Sequence, residues 1–226
     1  TSVTVTTSGL GWEGSILVNA PVLQTPLRPA ANLTLTAKEN IIINQPIRLT
    51  GSGIKFQLNA GNNITQGSIQ LNSFVNAEMV SMDVIGNGSI TQTANIGTSY
   101  LRINGTNSNV TLTNPSNGVG AIAANVKSLN LIADNGINWG GNYGSGLSVR
   151  SVGELSGVTA NGDIEISVLN GNLFLDKSIT ISSSNSTLKL NAGSSLPVGP
   201  FIGANSANNP YGPNIILAND FLNNNG

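Results

Sequence analysis

The sequence predicts an all-β protein folded as a parallel β-helix (β-solenoid) with rungs of about 22 residues. Apolar and polar residues alternate over many short stretches, as they do in half-buried strands. One sub-motif recurs along most of the chain at a spacing typical of repeat proteins. Charged residues make up only 8% of the 226 residues and aromatic residues 4%. Asn, Ser, Thr and Gly, which favour turns over helix interiors, are abundant.

The clearest rung covers residues 32–60. Its three alternating stretches, at 33–36, 41–43 and 47–49, are separated by polar corners with the sequences KEN and NQP. A third corner, GSG, follows, and the pattern starts again at Ile54. Three short strands and three corners describe one turn of a coiled sheet, in which side chains point alternately inward and outward.

The recurring sub-motif is an alternating aliphatic pair, then Ala or Gly, then polar turn residues and another aliphatic residue. Its second aliphatic positions have a mean spacing of about 22 residues, which is typical of a solenoid. They are Leu35, Leu58, Val84, Ile103, Leu131, Val149 (in a weaker copy), Ile166 and Leu190. We expect them to stack in the interior, for example Leu35 over Leu58 over Val84, in a rod of about ten rungs and about 50 Å. A β-sandwich, the alternative, also has many short strands but does not repeat one sub-motif.

The rungs are expected over residues 1–196, with a Pro-rich excursion at 24–31 that interrupts the strands. Residues 197–226 contain four prolines and little alternation. They predict an irregular C-terminal loop with one last strand at 214–218. Asparagines and glycines are expected at the corners, in left-handed backbone. Because the chain has neither a starting Met nor a signal peptide, we expect a mature form or a piece of a longer protein.

The outward positions of successive sub-motif copies are expected to form one row. That row is Thr34, Gln57, Asp83, Arg102, Asn130, Ser148, Glu165 and Lys189. In this register Asp83 neighbours Arg102, and Glu165 neighbours Lys189. Opposite charges beside each other on adjacent strands contribute roughly 0.2–1 kcal/mol, so we predict these two pairs.

Composition argues against several classes of function. The chain has no His and no Cys, which removes the usual catalytic sets and any thiolate metal site. The closest carboxylates, Asp163 and Glu165, lie two residues apart and predict a solvated strand face. Residues 161–163 (NGD) are a lone fragment of a calcium-binding repeat. We therefore expect no enzymatic activity, no metal and no cofactor.

The net charge of -1 argues against nucleic acid as a partner, and no apolar run is long enough for a helical membrane span.

A binding site is predicted at Trp139, Asn142 and Tyr143, which lie among glycines and asparagines. The two aromatic rings could form a flat platform for a sugar, with amide groups beside it. The structural alternative is that Trp139 covers the core at a corner, and Trp12 could likewise cover one end of the helix. The irregular stretches at 24–31 and 197–213 are further candidates, because function concentrates on the loops of rigid scaffolds.

Four stretches, LTLTAKENIIINQPI, NITQGSIQL, GSITQTA and NGDIEISVLNGNLFL, resemble the repeats of filamentous-haemagglutinin-type exoproteins. These are large adhesins that Gram-negative bacteria export by two-partner secretion. The resemblance covers about residues 32–192. It implies a right-handed parallel β-helix, export through an outer-membrane partner pore, and secretion or display on the cell surface. The secretion domain of the family carries Asn-Pro-Asn-Leu and Asn-Pro-Asn-Gly-Ile motifs, whereas residues 114–119 read NPSNGV. We therefore expect a segment of the repeat body.

The function that the resemblance implies is adhesion, as a virulence factor, with a host-cell receptor or a glycan as the partner. An inert stalk that presents another domain is the alternative. A polysaccharide-degrading β-helix enzyme is the third possibility, and it would need an acidic or basic cluster in a groove.

Overall fold

The protein is a β-solenoid of stacked parallel strands. A computed structural model describes residues 1–7, 14–24, 31–61, 67–134, 146–193, 201–204 and 214–217. Within these residues every regular element is a strand, and none forms a helix long and apolar enough to cross a membrane. The strands are β1 (Ser2–Thr6), β2 (Ile16–Val18), β3 (Val22–Leu23), β4 (Asn32–Ala37), β5 (Ile41–Ile43), β6 (Ile47–Arg48), β7 (Lys55–Ala60), β8 (Ile69–Leu71), β9 (Val75–Asn76), β10 (Met79–Val84), β11 (Ser89–Gln92), β12 (Ile96–Leu112), β13 (Gly118–Ala133), β14 (Gly146–Val149), β15 (Ser151–Val152), β16 (Leu155–Ser156), β17 (Val158–Ala160), β18 (Ile164–Val168), β19 (Asn172–Leu175), β20 (Ile179–Ile181), β21 (Leu188–Ala192), β22 (Phe201–Ala204) and β23 (Asn214–Leu217).

The pairing sorts most strands into three faces. Face 1 contains β1, β4, β7 and β10, the first halves of β12 and β13, and then β14, β17 and β20. Face 2 contains β2, β5, β8 and β11, the second halves of β12 and β13, and then β18 and β21. Face 3 contains β3, β6, β9 and the start of β12. Because β12 and β13 continue around the corners, the faces join into one 21-stranded sheet.

The predicted β-solenoid is confirmed, but its turns are longer and fewer than expected. About six turns of roughly 24 residues are present, which corresponds to a stack of roughly 30 Å. The predicted period was too short because the sub-motif occurs on two faces, so its spacing mixes whole turns with steps between faces. Ile103 pairs with Met82 on face 1, whereas Leu131 pairs with Ile166 on face 2.

The core is a set of inward-facing columns of aliphatic side chains. On face 1, one column runs through consecutive register partners Leu33, Phe56, Val80, Leu101 and Ile122, all of them buried. Alternation places these residues inside, because neighbouring side chains on a strand point to opposite faces. All eight predicted inward positions do face the interior, and Leu190 is the one that is only partly buried.

The register within face 1 differs from the prediction at β10. Leu35 stacks on Leu58 as predicted, but Leu58 stacks on Met82 rather than on Val84. Alternation runs unbroken from Val80 to Val84, so the sequence offers two alignments that differ by two residues. Both bury the same face, which is why periodicity alone cannot choose between them.

The corners use glycine and asparagine in different ways. Seven glycines have a positive φ, and no other residue in the described ranges does, so the predicted left-handed asparagines are not observed there. Asparagines instead stack between turns: Asn44 Nδ2 donates to Asn19 Oδ1 and Asn72 Nδ2 donates to Asn44 Oδ1, each at 2.9 Å. Glycine is also required where corners approach closely, since a Cβ on Gly88 would overlap the carbonyl oxygen of Gly67.

A fully buried asparagine, Asn117, ties three turns together. Its Oδ1 accepts hydrogen bonds from Gln92 Nε2 at 2.8 Å and from the Ile96 N–H at 2.9 Å. Its Nδ2 lies 3.1 Å from the Leu112 carbonyl, 2.9 Å from the Ile132 carbonyl and 2.9 Å from Gln92 Oε1. The NPSNGV stretch at 114–119 is therefore a corner that satisfies buried polar groups from neighbouring turns.

Two strands lie in the C-terminal stretch. The strand predicted at 214–218 is present as β23, which pairs in parallel with β19 and β22. β22 is a correction, because 201–204 falls in the part predicted to be irregular; its short apolar run, FIGA, is enough for a four-residue strand. Most of the predicted excursion at 24–31, namely 25–30, lies outside the described residues.

Candidate binding surface

The predicted platform of Trp139, Asn142 and Tyr143 lies outside the described residues, and so does Trp12. Within the described part of the chain, an antiparallel hairpin, β15–β16, interrupts face 1 between β14 and β17. This hairpin and the outward side chains of face 1 beside it form the candidate binding surface. The weaker sub-motif copy predicted around Val149 consists of a rung strand, β14, and a separate hairpin.

The hairpin leaves and rejoins the sheet at one point. The Gly157 N–H donates to the Arg150 carbonyl at 3.2 Å, which closes its base. Its two-residue turn is Gly153-Glu154, and Gly153 has a φ of 60°. Hairpin turns of this length require a positive φ at their first central position in type II′, which glycine adopts without strain. The Ser151 and Ser156 hydroxyls lie 3.0 Å apart across the two strands.

A second apolar cluster, separate from the core, holds the hairpin against face 1. Val152 is 3% exposed and packs on the outward side chains of Ala121 and Ala123. Partly buried residues around them are Met79, Tyr100 and Leu155. The two alanines occupy outward positions in β13, where a polar side chain would be expected on a solvated face. Their small size leaves room for the hairpin to lie close to the sheet.

A charged cluster lies where the hairpin turn approaches face 1. Arg102 Nη1 donates to Asp83 Oδ1 at 2.7 Å, to Asp83 Oδ2 at 2.8 Å and to Ser81 Oγ at 2.9 Å. The predicted Asp83–Arg102 pair is thus confirmed, although Arg102 is the register partner of Ser81 and reaches Asp83 diagonally. A Cβ built on Gly153 would lie 3.4 Å from Arg102 Cδ, so the turn backs onto the arginine.

The other predicted pair, Glu165 and Lys189, consists of direct register partners on face 2. No ion pair within 4 Å joins these two described side chains. Lys189 is exposed, and an exposed pair gains little from holding two long side chains in one geometry. The predicted outward row also divides: Asn130, Glu165 and Lys189 lie on face 2, whereas Thr34, Gln57 and Arg102 lie on face 1.

Uncharged polar side chains continue the surface from the charged cluster across β7 and β4. Thr34 and Gln57 are register partners, as are Thr36 and Asn59. Gln57 Nε2 donates to Asn59 Oδ1 at 3.0 Å, and Asn59 Nδ2 donates to Thr36 Oγ1 at 3.0 Å. All four side chains are half-buried. Face 1 therefore presents a flat array of oriented amide and hydroxyl groups that ends at the hairpin.

Two carboxylates outside this surface have structural partners. Asp163 Oδ1 accepts the Thr187 N–H at 2.7 Å, and Asp176 Oδ2 accepts from Ser148 Oγ at 2.7 Å. Among the described residues no three His, Cys, Asp or Glu side chains gather in a way that could hold a metal ion. This part of the chain therefore offers hydrogen-bonding chemistry on an outer face.

Two signals in the sequence could have found the hairpin. Residues 121 and 123, which alternate with Ile122, are both alanine, whereas the outward positions of the sub-motif copies are all polar. In the tetrapeptide Val152-Gly153-Glu154-Leu155, Gly-Glu lies between two apolar residues, which is typical of a two-residue hairpin turn that begins with glycine.

Fold and surface together define a β-solenoid with an added hairpin on one outer face. No protein-family model, curated protein or solved structure matches this chain.

Proposed function

We propose that this chain is a non-enzymatic binding segment of a bacterial adhesin, secreted or displayed on the outer surface of a Gram-negative cell. The observation that carries the proposal is the hairpin-bordered outer side of face 1. A stack of buried columns holds this surface rigidly, and preorganised surfaces lose less entropy on binding. The parent protein would be exported through an outer-membrane partner pore, and a host-cell receptor or a glycan would be its ligand.

The charged cluster supports a role in recognition rather than in stability alone. Arg102 and Asp83 are 16% and 21% exposed, so the pair is held firmly yet still reaches solvent. The hairpin is not needed to complete the core, because its apolar cluster is separate from the core columns. An element that adds an outer feature without closing the interior is expected where a rigid scaffold carries function.

Adhesion of the purified chain to epithelial cells, measured by flow cytometry, tests this proposal. One variant replaces residues 151–156 by Asn-Gly, which the Arg150–Gly157 hydrogen bond allows because it holds the two ends together. The matched control is Asn185→Ala, at an exposed corner of another part of the solenoid. We expect saturable binding that falls in the hairpin variant and in Arg102→Ala but is unchanged in the control. A folded chain without saturable binding would refute the proposal.

The predicted site at Trp139, Asn142 and Tyr143 is tested in the same assay with Trp139→Ala. Loss of binding in this variant, with the hairpin variant unaffected, would locate recognition on residues 135–145 and would still support an adhesin. If Trp139 instead covers the core, Trp139→Ala should lower thermal stability and leave the affinity per folded molecule unchanged.

An inert stalk is the second candidate, and the regular ladder of side-chain hydrogen bonds between turns favours it. The Asn19–Asn44–Asn72 amide stack spans successive turns with little variation, as expected of a spacer. Removing whole turns from a stalk should shorten the reach of the parent protein and leave its binding affinity intact. Loss of affinity on removal of turns would exclude this alternative.

A further inference from the structure

We infer that the outer side of face 1, from β4 to the hairpin turn, binds an uncharged polysaccharide chain. This inference rests on the proposed binding function and names the class of ligand. The surface is the array of Thr34, Thr36, Gln57 and Asn59 together with the charged cluster of Ser81, Asp83 and Arg102.

The hydrogen bonds within the array leave further donors and acceptors unused. Asn59 accepts from Gln57 and donates to Thr36. Gln57 thereby keeps its Oε1 as an acceptor, and Thr36 keeps its hydroxyl hydrogen as a donor. Sugar hydroxyls are both donors and acceptors, so they match a surface that offers both within one hydrogen-bonded chain.

The charged cluster extends this chemistry without adding net charge. Arg102 uses Nη1 for its contacts with Asp83 and Ser81. Its Nε and Nη2 hydrogens form no hydrogen bond with the described residues, and a guanidinium carries five donors. Planar groups such as this arginine and the amides of Gln57 and Asn59 can bind two neighbouring hydroxyls of a pyranose ring at once.

Charge selects between neutral and acidic chains. Asp83 neutralises Arg102 at 2.7 Å, and an acidic polysaccharide or a nucleic acid would need unpaired positive charge. Lys55 is the other cation on the outer side of face 1 between β4 and β12, at its border. An acidic ligand would therefore meet one exposed positive group, Lys55, and two carboxylates, Asp83 and the exposed Glu154 of the hairpin turn, which makes a neutral chain the better fit.

Geometry favours an extended chain that crosses the strands. Successive strands lie about 4.8 Å apart, close to the length that one residue adds to an extended β-linked pyranose chain. A sugar chain laid across β4, β7 and β10 would thus meet one equivalent polar group per ring. We call this path across the three strands the track. The hairpin turn at Gly153 closes one end of this track, because it backs onto Arg102 and Met79.

A glycan array that includes neutral and acidic chains is the first test of the inference on the full chain. Isothermal titration calorimetry with neutral β-linked oligosaccharides then measures the affinity. The variants are Gln57→Ala/Asn59→Ala and Gln57→Lys, and the matched control is Gln70→Ala, an exposed outward glutamine on face 2. We expect a neutral glycan to bind and the double variant to weaken it about tenfold, a loss of about 1.4 kcal/mol. The control should bind normally, and Gln57→Lys should weaken binding by obstructing the track.

The outcomes separate this inference from the proposed function. Cell adhesion without binding to any neutral glycan would overturn the inference and leave the adhesin proposal standing. Preference for acidic chains, or equal losses in Gln70→Ala and Gln57→Ala/Asn59→Ala, would also overturn it. Failure of a folded chain to bind either cells or glycans would overturn both.

Discussion

Replacing Asn117 by alanine should be among the most destabilising polar substitutions in this chain. The side chain is 0% exposed and contacts groups from three turns. Without it, the Ile96 N–H loses its side-chain acceptor, and the carbonyls of Leu112 and Ile132 each lose a donor. An unsatisfied buried donor or acceptor costs about 1–3 kcal/mol. Because carbonyls can retain a second partner, we expect a total loss of about 3–5 kcal/mol in the free energy of unfolding.

Urea unfolding followed by far-UV circular dichroism measures this loss. Since neighbouring turns of a solenoid can unfold separately, hydrogen exchange at the Ile96 amide provides a local measurement that does not assume a two-state transition. The control is Asn107→Ala, at an exposed position, where we expect a change within about 0.5 kcal/mol. Asn117→Asp keeps the shape and the acceptor but removes the amide donor, so it should also destabilise. A loss below about 1 kcal/mol for Asn117→Ala, with unchanged exchange at Ile96, would refute the reasoning.

Three further substitutions test the core, the charged cluster and the corner ladder. Phe56→Ala removes a fully buried ring and should lower the free energy of unfolding by about 3–5 kcal/mol in the same urea titration. Gln57→Ala, on the outer side, should lower it much less. Equal unfolding midpoints for the two variants would contradict the assignment of Phe56 to the interior. Asp83→Asn should lower stability by about 1 kcal/mol or less, because the pair is partly exposed. The loss should shrink in high salt, and a melting-temperature difference independent of salt would argue against an electrostatic origin. Asn44→Ala breaks two amide hydrogen bonds and should cost about 1–2 kcal/mol; a change no larger than that of the exposed asparagine control would show that the ladder is not stabilising.

Alternation was enough to predict which side chains form the interior. Leu35, Ile103 and Leu131 are all buried as predicted, because the two-residue period of a strand determines the face of each side chain. It was not enough to predict which residues stack on each other. Ile103 and Leu131 belong to different faces, and nothing in a shared sub-motif distinguishes one apolar face of a solenoid from another. Strand register depends on corner lengths, which vary from turn to turn.

The candidate surface was harder to predict than the core for a related reason. Val152 is as apolar as the inward residues of β14, yet it packs against the outside of the sheet. Periodicity shows which residues are apolar. It does not show whether an apolar residue packs in the core or against the outside of the sheet. The pair that could be predicted, Asp83 and Arg102, formed because long charged side chains tolerate a shift of two residues. The array of Gln57 and Asn59 depends on hydrogen bonds within and between strands that only the observed register defines.

Inside and outside of this solenoid are subject to different constraints, and this separation makes the proposals testable. Each inward side chain contacts the turns above and below, so its size is restricted by both. Outward side chains such as Gln57 and Gln70 contact the sheet from one side only and can change with little effect on folding. Outward side chains can therefore be replaced to suit a ligand without disturbing the fold. A binding change in an outer-face variant with unaltered unfolding can be attributed to the surface itself, because the columns beneath it remain in place.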